Sequence, residues 1–136
     1  MNEEMNEAPF KAVDMSQFKR TYLDIPYADA HEREKLDLVL PDEGEGPFPV
    51  VVAVHGGAWK FRFKRADNIA GLFQAASQGY AVASVGYRLS SHAKWPAQVN
   101  DVKAAIRYLR NHAEEYHLDP KCMIVCGNSS GGHIAQ

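Results

Sequence analysis

Apolar residues along this chain fall into two patterns. Unbroken runs occupy "VVVAVH" (50–55), "YAVASVGY" (80–87) and "CMIVCG" (122–127). Valine-rich runs without polar alternation suit strands covered on both faces, the mark of a parallel sheet. Between the runs, apolar positions recur at spacings of three and four. Ile69, Leu72, Phe73 and Ala76 predict a helix over 67–78, with Gly79 placed to end it. Val99, Val102, Ile106, Leu109 and Ala113 predict a second helix that begins near Pro96, a residue suited to a first helical position.

Ahead of these, "TYLDIPYAD" (21–29) and "KLDLVLP" (35–41) have strand character and flank the charged turn "AHERE", which predicts an antiparallel hairpin. "GEGPFP" breaks the chain before the first valine run, and "DP" at 119–120 precedes the last one. Residues 1–16 are polar and irregular and read as a loose arm, and no repeat or linker divides 17–136. The order hairpin, strand, helix, strand, helix, strand, start of a helix predicts an α/β fold. Its antiparallel N-terminal hairpin leads into a mainly parallel sheet flanked by helices.

Composition narrows the setting. With 46% hydrophobic and 24% charged residues in 136, the chain has the balance of one globular domain, and a net charge of −2 gives no general pull toward nucleic acid or anionic lipid. The acidic amino terminus lacks the apolar run of a signal peptide and no segment approaches a membrane span, so the expectation is a cytoplasmic protein. Cys122 and Cys126 are four residues apart on one expected strand. Their α-carbons would then lie about 13 Å apart, beyond disulfide reach, and no zinc-like spacing surrounds them. They read as small core residues.

Two motifs carry candidate chemistry. "GNSSG" (127–131) places Ser129 between Gly127 and Gly131 where a strand gives way to a helix. A serine on a sharp strand–helix turn is lifted above the strand end, and glycines two residues to either side let strand and helix approach. "HGGAW" (55–59) leaves the carboxyl end of the valine-rich strand, the edge where open α/β sheets bind ligands. Its glycines free backbone N–H groups to meet the negative oxygen of a tetrahedral intermediate. Either motif alone is a common glycine turn; together, on these elements, they form one constellation.

With "LDLVLP", "PVVVAVHGGAW", "GYAVASVGYRLS", "WPAQVNDVKAAIRYLR", "HLDP" and "CGNSSGGHIA" in this order, the chain resembles the amino-terminal half of the α/β-hydrolase superfamily. The resemblance is to esterases and lipases of the hormone-sensitive-lipase and acetyl-xylan or feruloyl esterase types, and it covers Tyr22 to Gln136. It implies a serine hydrolase of short acyl esters working through an acyl-enzyme, with no cofactor and no metal. Ser129 would be the nucleophile, and the backbone N–H groups of Gly57, Ala58 and Ser130 would form the oxyanion hole. His55, Gly56, Trp59, Gly127 and Gly131 would shape the two turns. Ser130 stands where the family usually has alanine, and Gly86 where many relatives carry aspartate.

The family's acid and histidine follow the nucleophile in chain order, and only seven residues follow Ser129. His133 lies one turn beyond it, while His31, His92, His112 and His117 read as solvated surface. The expectation is that the chain alone is catalytically incomplete. Alternatives are an arylformamidase or peptidase of the same superfamily, or a truncated or non-catalytic relative that only binds a partner. The basic, aromatic run "WKFRFKRAD" (59–67) reads as a loop at the site's mouth and not as a nucleic-acid surface. The expected partner is a small acyl ester, with neither nucleic acid nor membrane. The 122–127 strand, left as an edge, would also invite self-association.

Overall fold

The computed structural model describes residues 14–55, 70–88 and 92–127. The arm before residue 14, residues 56–59 and 128–131 of the two motifs, His133 and the basic aromatic run lie outside them. Strand β1 (Arg20–Pro26) pairs antiparallel with β2 (Lys35–Leu40), which is the expected hairpin. Strand β3 spans Phe48–Val54, β4 Ala81–Val85 and β5 Leu118–Gly127, and all five form one sheet in the order β1-β2-β4-β3-β5. β2 joins β4 antiparallel, while β3 lies parallel to both β4 and β5. The sheet is mixed, as an antiparallel hairpin feeding a parallel core requires.

The valine runs are continuous because both faces are covered. On one face Val50, Val52, Val54, Ala81, Ala83 and Val85 pack under helix α2 (Ala97–Asn111), through Val102, Ala105 and Leu109. On the other face Ala53, Val82 and Val39 meet Phe73, Ala76 and Met15. Alternate residues of one strand therefore feed two cores, and neither face can take a polar residue without a partner.

The first helix ends where expected but is only partly α-helical among the described residues. Helix α1 covers Ala70–Phe73 and tightens into a 3-10 turn over Gln74–Gln78, while 67–69 lie outside the described residues. Gly79 ends it at φ 90°, its N–H meeting the Ala75 and Ala76 carbonyls. Helix α2 starts one residue after Pro96, and its buried side includes Gln98 and Asp101 beside the expected Val102 and Leu109.

Two expectations need correction. Strand β5 begins at Leu118, and between the pairs Phe48–Leu118 and Val50–Met123 four β5 residues face one on β3. Asp119–Cys122 thus bow out, with the Lys121 N–H closing on Asp119 Oδ1 at 2.9 Å. Cys122 is consequently exposed and Cys126 half-buried, both free thiols, so neither is a core residue. Nor is β5 covered on both faces. Met123 and Val125 pack toward α2, but Ile124, on the α1 side beside Val51, is 51% exposed.

Candidate active site

The three parallel strands end together. Val54 is the register partner of Val85 on β4 and of Gly127 on β5, so their carboxyl ends form one edge. Adjacent strands lie about 4.8 Å apart, and "HGGAW" and "GNSSG" leave the sheet from neighbouring strands. Of the expected site residues, His55 and Gly127 are described; Gly56, Gly57, Ala58, Trp59, Ser129, Ser130 and Gly131 are not.

His55 is fully buried at the end of β3. Its ring stacks on Tyr87, with centroids 4.3 Å apart and planes inclined by 14°. The Tyr87 hydroxyl donates to the His55 carbonyl at 2.7 Å. The β3–β4 ladder stops at Val54 and Val85, and this side chain extends the pairing one residue further.

The segment after β4 is itself held from several sides. Gly86 donates its N–H to the Lys35 carbonyl at 2.9 Å and accepts the Tyr27 hydroxyl. The Tyr87 carbonyl accepts from Arg33 Nε at 3.1 Å, and the Arg88 N–H donates to Asp101 Oδ2 at 2.8 Å. Arg88 also grips Asp101 through Nη2 and Nε, and its Nε lies 3.8 Å from Glu34.

Charges set into this wall perturb one another. Burial, and then the hydrogen bond to Asp101, raise the Glu34 carboxyl above its usual range, partly opposed by the His31 N–H and by Arg88. Hydrogen bonding to Asp101 holds Arg88 more firmly protonated than an ordinary guanidinium. Burial, reinforced by the Asp101 and Glu34 carboxylates, pushes the Tyr27 hydroxyl far upward.

The sequence reading missed these groups. Asp101 carried a signal: it stands four residues before Ala105 and three after Gln98, on the helix side that buries. A carboxylate there demands a cationic partner. Glu34 sits in a charged turn and carried none. Three histidines read as solvated also have ring partners. The His31 and His92 rings lie 4.2 Å apart, tilted by 32°, and His112 stacks on Tyr108 at 4.0 Å. His117 is exposed at φ 60°, at the amino-terminal end of β5 and thus the opposite end of the sheet from Gly127.

A cavity of about 630 Å³ opens at that opposite end, lined by Arg20, Glu45, Gly46, Glu114 and His117 among others. It is remote from the strand ends that carry the two motifs. Among the described residues no group of three or more His, Cys, Asp or Glu is placed to hold a metal ion, and no helix is long and apolar enough to cross a membrane.

Comparison with known proteins gives this arrangement relatives. The family model described as BD-FAE matches residues 36–136. A probable isoprenylcysteine alpha-carbonyl methylesterase of Arabidopsis thaliana is 37% identical over 111 residues, 82% of this chain and 23% of that protein. The kynurenine formamidase of Danio rerio is 30% identical over 117 residues, 85% of this chain and 38% of that protein. Among solved structures, a truncated form of a carbohydrate esterase from gut microbiota superposes with a TM-score of 0.78 at 32% identity, covering 92% of this chain and 45% of that one. The chain thus spans less than half the length of these relatives. The architecture is that of the amino-terminal part of an α/β-hydrolase of esterase type.

Proposed function

The chain belongs to the BD-FAE family, and on that footing we propose that it carries the nucleophile and the oxyanion donors of a serine esterase acting on short acyl esters. The observation that supports this most directly is the pairing of Val54 with Gly127, which sets side by side the ends of the two strands that "HGGAW" and "GNSSG" follow. Ser129 Oγ attacks the ester carbonyl, and the carbonyl oxygen takes up the negative charge. The N–H groups of Gly57, Ala58 and Ser130 receive that charge, and collapse expels the alcohol to leave an acyl-serine. Water then attacks the acyl-serine and releases the acid.

This chemistry needs a base for the serine proton and a group to orient the base. Fully buried His55 is occupied at the strand end, and His112 and His117 lie toward the far end of the sheet. In the family's chain order the base and its acid follow the nucleophile, and on this reading the residues described here by themselves turn over no ester.

Hydrolysis of p-nitrophenyl acetate by the protein extended to the length of its relatives tests the assignment. Ser129→Ala should lower the rate by about 10⁴-fold or more. Turnover that survives in this variant discards Ser129. Resemblance to the kynurenine formamidase favours a second reading, with a formamide in place of the ester. Faster hydrolysis of formyl-kynurenine than of acetylated sugars would select it. Ligand binding with no hydrolysis of either would mark a non-catalytic relative.

A further inference from the structure

We infer that Tyr87 is a positioning residue for the reaction: its hydroxyl fixes the His55 carbonyl, and with it the peptide unit from which the "HGGAW" loop departs. The inference rests on the esterase reading, in which that loop supplies the oxyanion donors.

A core tyrosine that merely fills space could be phenylalanine. Tyr87 is fully buried, and its hydroxyl is spent on one backbone oxygen 32 residues away, at 2.7 Å. That oxygen lies just past the last register pair of β3 and β4, where the ladder no longer directs the chain. A peptide unit is planar, so a carbonyl held in direction sets the plane through which the chain enters the next residue. The stacked imidazole fixes the same residue from its side chain. Tyr87 is equally constrained, since Arg33 holds its carbonyl and Lys35, Tyr27 and Asp101 hold the backbone of Gly86 and Arg88. A rigid second layer of this kind is what oxyanion donors require, because their contribution falls steeply with small displacements.

Tyr87→Phe removes the hydroxyl and keeps the stacked ring, so the fold should survive with a small loss of melting temperature. Selective ¹⁵N-glycine labelling gives few resonances, and Gly56→Ala identifies the one from Gly56. In Tyr87→Phe that resonance should shift or split, because an amide nitrogen senses the hydrogen bond on the carbonyl of its own peptide unit. In the extended protein kcat for p-nitrophenyl acetate should fall about tenfold to a hundredfold with KM within about twofold. Tyr87→Leu, which also loses the stack, should fall further.

An unmoved Gly56 resonance, or a KM that rises while kcat holds, would overturn the inference. If Tyr87→Phe fails to fold, loss of the slow exchange expected of a buried Tyr87 hydroxyl proton in the wild-type spectrum would overturn it as well. Absence of any Ser129-dependent turnover in the wild type would sink the esterase reading instead, and the glycine resonance would still decide the clamp.

Discussion

Arg88 and Asp101 form a fork: Nη2 reaches Oδ1 at 2.8 Å and Nε reaches Oδ2 at 3.0 Å, while the Arg88 backbone N–H donates to Oδ2 at 2.8 Å. The carboxylate side chain is 2% exposed and the guanidinium 23%. The pair thereby ties helix α2 to the backbone that follows β4. Asp101→Ala would strand a guanidinium and a backbone N–H at once. Its expected cost is about 3 kcal/mol or more, seen as a lower urea midpoint. The double variant with Arg88→Ala should lose clearly less than the sum of the two single losses. Additive losses would show that the pair is not coupled.

Glu34 makes stability depend on pH in an unusual direction. Its folded pKa lies above the ordinary 4.5, because burial and the neighbouring Asp101 carboxyl disfavour its charged form. The folded state therefore holds the Glu34 proton more tightly than the unfolded chain does. Stability from this group is complete below 4.5 and is lost as pH rises through the raised value. Glu34→Gln has no proton to lose. Relative to wild type it should gain stability as pH rises through that interval, with a difference in slope of at most about 1.4 kcal/mol per pH unit. Urea midpoints of both proteins measured from pH 4 to 8 check this, and parallel curves would refute it.

The limits of legibility follow the range of the interactions. The hairpin, β3, β4 and α2 were readable because each announces itself through neighbours two, three or four residues apart. The partnership of Glu34, Arg88 and Asp101 was not, since three separate stretches of chain must converge before any of them gains a partner. Tyr87 read as part of a valine-rich strand, and nothing local marked its hydroxyl for His55. Cys122 shows a different failure. An apolar run reports what a strand can bury, whereas the bowing of Asp119–Cys122 arises from a register mismatch with β3. At the site itself, the sheet adds that the two motifs follow adjacent strands, β3 and β5.

Gly46 and Gly71 should respond oppositely to alanine. Gly46 has φ +76°, and a Cβ there would stand 2.5 Å from the His117 carbonyl oxygen and 2.9 Å from the Phe48 nitrogen. Both are backbone atoms, and the Phe48 N–H already donates to that same carbonyl at 2.8 Å. Gly46→Ala must push β3 and the start of β5 apart, at an expected cost of about 2 kcal/mol or more. Gly71 lies exposed in α1 with nothing within 4 Å of its would-be Cβ. Gly71→Ala should be neutral or stabilising by up to about 1 kcal/mol. Thermal melts of the two variants decide both, and a tolerated Gly46→Ala would show that the β3–β5 entry can shift.

Strand β5 is outermost in the sheet, and among the described residues β3 is its one neighbour. Its free edge runs along "MIVC", without proline or charge to discourage another strand, and Ile124 adds a half-exposed apolar side chain. Natural edge strands usually carry such a guard. The expected outcome for the isolated chain is association through this edge, together with no hydrolysis of p-nitrophenyl acetate. Ile124→Lys places a charge beside the edge and should shift the mass measured by light scattering toward the monomer. It should leave the thermal melt nearly unchanged, because the side chain it replaces is already 51% exposed. A wild-type chain that stays monomeric across a hundredfold range of concentration would mean that the edge is already covered. Esterase turnover by that monomer, abolished by Ser129→Ala, would further place a working base within these residues, with His133 the first to test.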